Sequence, residues 1–261
     1  MKTGFIGCGN MGGALIRAAA NSVNPGDIFI TDICAEKAAA LAVETGTRAV
    51  TAAELAAVCD FIFLGVKPQN MRETLAGLSL PQDRRVVLVT MAAGLTMDTI
   101  LSYANSTYPI IRIMPNLAAA VGEGMLLWCS KGTNATENAY FETLMSHAGR
   151  LMPIDESKID AASAISGCGP AFVCLFAEAL ADGGVLCGLK RADAQLLAEQ
   201  MLLGTAKLLI ESGRHPGDLK DAVCSPGGTT IAGVLRLEEG AFRSDVAQAV
   251  IAAYEKTLKL K

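Results

Sequence analysis

Two different patterns of hydrophobic positions divide the chain. Through about residue 155, short β-branched runs alternate with alanine-rich stretches of helical character, the strand–helix–strand order of a mostly parallel sheet. Two of the runs are apolar almost throughout, as expected of strands that helices cover on both faces. The predicted strands are Lys2–Ile6, Ile28–Asp32, Phe61–Val66, Val86–Thr90 and Ile110–Met114, with Met125–Cys129 and Arg150–Ile154 as weaker candidates for edge strands.

After Glu156 the strand pattern stops and helical periodicity follows. Four helices are predicted, at about Ile159–Leu186, Ala192–Glu211, Thr230–Glu238 and Val246–Leu258. We therefore predict an α/β domain over residues 1–155 and an all-α domain over residues 156–261. The second domain is unusually apolar for its amount of surface, so we expect part of it to pack against another copy of the chain.

The clearest local motif directly follows the first predicted strand and opens a helix. It is a G-x-G-x-x-G that reads Gly7, Cys8, Gly9, Asn10, Met11 and Gly12, after Ile6 at the strand end. In a Rossmann-type domain these glycines make a tight turn, admit a pyrophosphate to the backbone and let helix and strand pack closely. A glycine-rich turn without a ligand is the alternative, but the strand–helix context favours a dinucleotide site.

Asp32 ends the second predicted strand, about 20 residues beyond Gly12. A carboxylate there can accept hydrogen bonds from the hydroxyls of an adenosine ribose, which favours NAD. A 2′-phosphate would instead require Arg or Lys, and the nearest basic residue downstream is Lys37, in the next helix. The alternative is an ordinary turn aspartate.

Two further strand ends point to the same side of the predicted sheet. Ligands of open α/β sheets bind outside the carboxyl ends of the strands, so both segments are candidates for lining a cofactor pocket. Lys67 is either a charged contact or a solvated loop residue. The residues concerned are Val66, Lys67 and Pro68, and Met91, Ala92 and Ala93.

A second candidate site lies in the helical domain. It reads Ser225, Pro226, Gly227, Gly228, Thr229 and Thr230, just before a predicted helix. The unpaired N–H groups of a helix start, with hydroxyls beside them, can hold a carboxylate without a basic residue. A plain turn with a capping threonine is the alternative. Another glycine cluster, at 166–170, is more typical of a kink or a close-packing site.

Composition narrows the possible functions. Hydrophobic residues make up 51% of the 261 and charged residues 18%, which excludes a disordered chain. A net charge of −4 and 5% aromatic residues argue against nucleic-acid binding. The most membrane-like stretch, residues 170–189, carries Glu178 and Asp182, and is therefore interpreted as a buried helix rather than a membrane span.

The eight cysteines and two histidines do not form a metal or disulfide pattern. No Cys-x-x-Cys pair occurs, and His147 and His215 fall at predicted helix ends, where capping or surface roles are expected. Cys224 has no histidine nearby in sequence to activate it as a nucleophile. Together with an N-terminus that shows no leader pattern, this predicts a reduced, cytoplasmic protein without a metal.

With these motifs in place, the chain resembles the pyrroline-5-carboxylate reductases over essentially its whole length. The most specific stretch runs from Leu219 to Thr230, because G-x-G-x-x-G alone is shared by many dehydrogenases. The other matching segments are 4–11, Val66–Pro68, Ala92–Gly94, Met114–Asn116 and 166–171.

The resemblance implies reduction of 1-pyrroline-5-carboxylate to L-proline, with NADPH or NADH held across Ile6–Met11, Val66–Pro68 and Met91–Ala93. It also implies that the substrate carboxylate lies on the Gly228–Thr230 backbone, with the Thr230 hydroxyl near the ring nitrogen. Glu156 matches a position that contacts substrate in relatives. Family members form dimers through the helical domain, and often rings of dimers.

Two alternatives remain at the level of sequence. One is an imine reductase or β-hydroxyacid dehydrogenase of the same architecture; many of these carry a lysine followed four residues later by asparagine, whereas here Lys158 is followed by Ala162. The other is a dinucleotide-binding sensor without turnover, which would have no reason to keep the Gly228–Thr230 segment. Asp32 also departs from the small or polar residues of many relatives, which argues against a preference for NADP.

Overall fold

The computed structural model describes residues 1–259, and in it the first half of the chain forms one eight-stranded sheet. The last two residues of the predicted second domain, 260 and 261, lie outside the described residues. The strands are β1 (Thr3–Ile6), β2 (Ile28–Thr31), β3 (Arg48–Ala49), β4 (Phe61–Leu64), β5 (Val87–Thr90), β6 (Ile110–Met114), β7 (Gly124–Lys131) and β8 (Gly149–Pro153).

The strand order is β3-β2-β1-β4-β5-β6-β7-β8, and every neighbouring pair is parallel except β6 and β7. The prediction of two weak edge strands is half right: β8 is an edge, but β7 lies inside the sheet between β6 and β8. The two-residue strand β3 was not predicted. Within the parallel part, Ile6 pairs with both Thr31 and Leu64, and Leu64 pairs with Thr90. The segments that follow these four residues therefore leave the sheet at one edge.

Seven helices accompany the sheet, and the core lies on both of its faces. Successive residues of β1 show why, since Phe5 packs in one core cluster and Ile6 in the other. On the first face, Phe5 stacks on Phe63 with ring centroids 4.3 Å apart, and Phe141 packs against Trp128 at 5.2 Å. The helices are α1 (Asn10–Ser22), α2 (Ala35–Thr45), α3 (Ala52–Val58), α4 (Met71–Gly77), α5 (Met97–Tyr103), α6 (Ala135–Leu144) and α7 (Glu156–Ser166).

The chain divides into two compact units. The first comprises Met1–Cys168 with the C-terminal segment from Ala253, and the second comprises Gly169–Ala252. The predicted boundary after residue 155 precedes α7, whereas the first unit includes α7. The remaining helices are α8 (Gly169–Leu186), α9 (Arg191–Ser212), α10 (Pro216–Ala222), α11 (Thr229–Glu239) and α12 (Phe242–Leu258).

The helical prediction needs three corrections. The single helix predicted over Ile159–Leu186 is two helices, α7 and α8, that are separated at Gly167 and Cys168. A Cβ on Gly167 would lie 2.9 Å from the Ser163 carbonyl oxygen, so close packing requires a glycine at this break. The short helix α10 was missed because its sequence has no apolar stripe.

The third correction concerns burial. The sequence predicts a buried helix over residues 170–189, but within one chain Ala181 is the buried residue of α8, and large apolar side chains such as Leu175 (68% exposed) face outward. Among the described residues, one helical stretch, Glu156–Leu186, is long and apolar enough to cross a membrane, by length and composition only. In the most apolar 18 residues of this stretch, 11% are buried inside the chain. Helix periodicity marks an apolar surface without saying what covers it.

Candidate active site

The loop after β1 has the backbone geometry that a bound pyrophosphate requires. Gly7 has φ +108°, and a Cβ there would lie 2.5 Å from the Gly65 carbonyl oxygen. A Cβ on Gly12 would lie 2.1 Å from the Gly7 carbonyl oxygen, so this glycine allows helix and turn to touch. A Cβ on Gly9 would meet nothing within 4 Å, which leaves its backbone open to a ligand.

The start of α1 supplies hydrogen-bond donors at this loop. The first bond inside the helix runs from the Gly13 N–H to the Gly9 carbonyl, at 2.7 Å. The N–H groups of Asn10, Met11 and Gly12 therefore have no partner within the helix, and the positive end of the helix dipole adds to them. These features fit a diphosphate.

Asp32 holds the same loop from the end of β2. Its Oδ2 accepts the Cys8 N–H at 2.6 Å, and its Oδ1 accepts the Cys34 N–H at 3.0 Å. An ionised carboxylate has about four acceptor positions, so two remain for ribose hydroxyls. Burial, with the Asp32 charge as a second cause, raises the pKa of the Cys8 thiol to about 11.

One cavity borders this loop, and a second lies at Asp32. One of about 320 Å³ contacts Cys8 to Asn10 and the facing sides of α1 and α2, and it includes Lys37 and Arg17. Glu44 neutralises Arg17 through two hydrogen bonds, at 2.6 and 2.9 Å. The other, of about 500 Å³, borders Asp32 and is lined largely by alanine and valine. Both volumes are in the range of small-molecule sites.

The predicted segments after β4 and β5 leave the sheet at the same edge as the loop. The Gly65 N–H donates to the Ile6 carbonyl at 2.8 Å, which ties the β4 end to the loop. Beyond it Val66 and Pro68 are half-buried and Lys67 is exposed. After β5, Ala92 is buried, with its N–H 3.3 Å from the Thr90 hydroxyl, and Met91 and Ala93 are half-buried.

Sequence reasoning missed an ionic cluster of Arg112, Glu156 and Asp160, which contacts the start of α5. Arg112, in the middle of β6, is 1% exposed, and its Nη2 donates to Asp160 at 2.6 Å. Its Nη1 lies 3.5 Å from Glu156 Oε1, which also accepts the Met97 N–H at 2.7 Å. The available signal was a lone arginine in an apolar strand, together with two carboxylates four residues apart on a helix.

The second unit contains the predicted Ser225–Thr230 turn. The Gly228 N–H donates to the Ser225 carbonyl at 3.0 Å, and Pro226 and Gly227 (φ +67°) take the two central positions, as a type II turn requires. A Cβ on Gly228 would lie 2.3 Å from the Ser225 hydroxyl and 3.0 Å from the Ser225 carbonyl oxygen, so a side chain there would displace the hydroxyl.

Helix α11 begins directly after this turn. Its N-cap is Gly228, not a threonine, so no side chain caps the N–H groups of its first turn. Thr229 and Thr230 are exposed in the first helical turn, where their N–H groups lack intrahelical partners. The Gly228 N–H donates to the Ser225 carbonyl of the turn, so the Thr229 and Thr230 N–H groups are the more available of the three predicted carboxylate donors.

The remaining predictions concern histidines, cysteines and metals. His215 caps α10 by accepting the Gly217 N–H at 3.0 Å, and His147 lies 2.9 Å from the Ser22 hydroxyl, so both have the expected structural roles. Cys224 is half-buried. Among residues 1–259, no group of three or more His, Cys, Asp or Glu side chains could hold a metal ion.

The chain is similar in sequence and structure to known proteins. Residues 156–260 match the family model described as pyrroline-5-carboxylate reductase dimerisation, and residues 2–94 match NADP oxidoreductase coenzyme F420-dependent. The pyrroline-5-carboxylate reductase of Escherichia coli is 40% identical over 99% of this chain and 98% of its own. The chain belongs to the pyrroline-5-carboxylate reductase family. This confirms the resemblance and the predicted fold class.

Other members of the family agree over the full length. The pyrroline-5-carboxylate reductase of Arabidopsis thaliana is 39% identical over 99% of this chain and 95% of its own. A crystal structure of the Plasmodium falciparum pyrroline carboxylate reductase, which has NADP bound, superposes with a TM-score of 0.89 at 34% identity, covering 100% of this chain and 98% of that one.

Proposed function

We propose that this protein reduces 1-pyrroline-5-carboxylate to L-proline, the last step of proline biosynthesis. The substrate, a reduced nicotinamide dinucleotide and a proton are consumed, and proline and the oxidised dinucleotide are formed. The observation that carries the substrate assignment is the Ser225–Gly228 turn with the uncapped start of α11 behind it, in a chain that matches family members from end to end. A sensor without turnover would have no use for that turn.

The first unit carries the residues that would hold the cofactor. They are Ile6–Gly12 for the pyrophosphate, Asp32 for the adenosine ribose, and Val66–Pro68 with Met91–Ala93 for the rest of the molecule. When bound, a reduced nicotinamide supplies the hydride. The open backbone at Gly9 and the donors of Asn10 to Gly12 support this placement.

The second unit carries the residues that would hold the substrate carboxylate. The N–H groups of Thr229 and Thr230 would supply donors at the positive end of α11, and the Ser225 hydroxyl, which borders Gly228, would add another. Gly228 contributes by shaping the turn, since its own N–H is engaged. Glu156, for which the resemblance implies a contact with the substrate, lies in the first unit.

Thr230 is the residue proposed to act on the reacting ring. A cyclic imine is protonated easily and is then a strong electrophile, so the protein needs mainly to hold the C5 carbon for attack and to exclude water. The Thr230 hydroxyl would orient the ring through its nitrogen and assist delivery of the proton. This explains why the site needs neither a histidine base nor a metal.

The helical region supports self-association of the chain. It matches a dimerisation model, and it exposes large apolar side chains on α8 and α9. We propose a homodimer formed through these helices, with rings of dimers as the higher assembly, in the cytoplasm.

The first test is the decay of nicotinamide absorbance with purified protein and pyrroline-5-carboxylate, run in parallel with NADH and NADPH. Rapid oxidation that depends on the imine is expected. If both cofactors bind but neither is consumed, the substrate assignment is wrong, and other cyclic imines and 3-hydroxy acids become the next substrates to assay.

Thr230→Ala tests the role of the hydroxyl. We expect turnover to fall about tenfold to a thousandfold, the usual scale of one acid–base group, while cofactor affinity stays unchanged. Thr143→Ala, at an exposed helix position of the first unit, serves as control and should leave the rate unaltered. An undiminished rate in Thr230→Ala removes this residue from the mechanism.

A further inference from the structure

The buried arginine of β6 presents an unusual electrostatic arrangement. Arg112 is 1% exposed and faces two carboxylates, Asp160 (side chain 4% exposed) and Glu156 (27%). Removing a guanidinium from water is strongly unfavourable unless hydrogen bonds and opposite charges compensate it. The Nε of Arg112 has no hydrogen-bond partner among the described residues, so the pairing relies on the two terminal nitrogens. Apolar side chains would fill the same space at a lower cost in free energy, so we expect this cluster to have a functional role.

That role is indicated by the second contact of Glu156. The same Oε1 that faces Arg112 accepts the Met97 N–H at 2.7 Å. Met97 is the first residue of α5, so its N–H is one of the donors that a helix start leaves without an intrahelical partner. Thr96 caps the same helix by accepting the Thr99 N–H at 3.2 Å, and Glu156 supplies a second, charge-assisted cap from a distant helix.

The capped end of α5 is also the end of the segment that follows β5. Residues 91–96 connect Thr90, where the Thr90 hydroxyl accepts the Ala92 N–H, to the start of α5 at Met97. One end of this six-residue connection is fixed by the sheet, and the other by Glu156. The proposed cofactor contacts Met91, Ala92 and Ala93 lie between the two anchors.

We propose that Glu156 is a positioning residue for the cofactor, which acts by holding the Met91–Ala93 segment through the Met97 N–H, and that Arg112 and Asp160 hold Glu156 in place. This assignment rests on the proposed function only in taking Met91–Ala93 as a cofactor contact. It differs from the substrate contact implied by resemblance, because the oxygen that faces the cluster is committed to the start of α5.

The decisive comparison is between two substitutions at position 156. Glu156→Gln keeps an oxygen that can accept the Met97 N–H, whereas Glu156→Ala removes it. Calorimetric titration with NADH and with NADPH, in the absence of substrate, should show a dissociation constant raised about tenfold in Glu156→Ala and less than threefold in Glu156→Gln. At saturating cofactor, the KM for pyrroline-5-carboxylate should stay within about twofold in both. Asp155→Ala, an exposed carboxylate next to it, is the control.

A second pair of variants tests the N–H itself. Met97→Pro removes the hydrogen but keeps a residue that the first helical position tolerates, and the extended backbone of Thr96 (ψ 162°) permits a following proline. Met97→Ala shortens the buried side chain by a comparable amount but keeps the N–H. In Met97→Pro, the affinity for the cofactor should fall to the level of Glu156→Ala. In Met97→Ala, which keeps the N–H, the affinity should stay above that level. The double variant Glu156→Ala/Met97→Pro should bind the cofactor no more weakly than either single variant.

Two results would overturn the proposal. The first is unchanged cofactor affinity in Glu156→Ala. The second is a raised KM for the imine in both position-156 variants, which would return Glu156 to the substrate. Because cofactor titration needs no turnover, a wild-type protein that fails to reduce the imine would refute the proposed function while still leaving the positioning role open to measurement.

Discussion

At the scale of single residues, the three glycines of the phosphate loop (Gly7–Gly12) are required for different reasons, although the G-x-G-x-x-G motif does not distinguish them. Gly7 and Gly12 are required by the fold itself, because a Cβ on either would collide with backbone oxygen. Gly9 is free of such contacts and has an ordinary φ of −69°. The fold therefore does not require a glycine at this position, and we expect the proposed cofactor to be the reason for it.

Alanine substitutions distinguish these reasons. Gly12→Ala should lower the melting temperature of the protein even without cofactor, because the 2.1 Å approach forces α1 away from the turn. Gly9→Ala should melt like the wild type but bind NADH and NADPH at least tenfold more weakly, since a methyl group occupies the path of the pyrophosphate. Thermal melts with and without cofactor make the comparison, and equal behaviour of the two variants contradicts it.

Asp32 sets a second expectation at this scale. An ionised carboxylate at the ribose disfavours a 2′-phosphate, so Asp32→Ser should raise the NADPH-to-NADH ratio of kcat/KM by about tenfold or more, as for two like charges a few ångströms apart. Activity with NADH should fall as well, because the Cys8 and Cys34 N–H groups lose their acceptor. Asp27→Ser, at the other end of β2, removes the same charge and should leave the ratio alone.

At the scale of elements, helix α6 shows how one carboxylate can join a helix start to the sheet. Glu137 and Asn134 form a reciprocal capping box at 2.8 and 2.9 Å. Glu137 also receives two hydrogen bonds from Arg85, at 2.5 and 2.9 Å, and Arg85 lies two residues before the start of β5. The Arg85 hydrogen bond holds the pKa of Glu137 below its usual value.

The depressed pKa fixes the pH dependence of this contact. Its stabilisation is fully present above the pKa of an unfolded glutamate and is lost as the pH falls through the lower pKa of the folded state. Glu137→Gln should cost about 1–3 kcal/mol of unfolding free energy at pH 7. The cost should shrink toward zero in strong acid. Denaturant titrations at several pH values measure it, with Glu142→Gln, exposed on the same helix, as control.

Elements were predictable where one local pattern determines them. The buried strands β1, β2, β4, β5 and β6 agree with prediction to within two residues, because a strand covered on both faces is apolar throughout. The edge strand β3 has two exposed residues and leaves no such trace. The Gly7–Gly12 loop is contiguous in sequence, and its place between β1 and α1 agrees with prediction. Its binding of the pyrophosphate stays a prediction. The cluster of Met97, Arg112 and Glu156 draws on three distant segments, and no local pattern connects them.

At the scale of the whole molecule, the exposed helices set the main expectation. Large apolar side chains face outward along α8 and α9, Leu196 and Ile210 among them. Sequence periodicity could not distinguish burial inside one chain from burial between two copies, which is why residues 170–189 were assigned to the interior. A free chain with this surface would be prone to aggregation.

Light scattering coupled to gel filtration tests the assembly. The protein should elute as a dimer or larger rather than at the 27.1 kDa of one chain. Leu175→Glu, on α8, should shift the equilibrium toward smaller species, whereas Val43→Glu, at a still more exposed apolar position of the first unit (88% against 68%), should not. A wild-type monomer, or equal effects of the two substitutions, would argue against association through α8.

The thiol of Cys8 gives the phosphate loop an unexpected chemical durability. Because burial raises its pKa to about 11, this thiol carries much less thiolate at neutral pH than an ordinary cysteine does, and the thiolate is the form that peroxides and alkylating agents attack. Oxidants that reach the protein would modify exposed thiols such as Cys187 first. The Cys8 thiol in the loop of this reductase is therefore protected from oxidation by compounds in its surroundings.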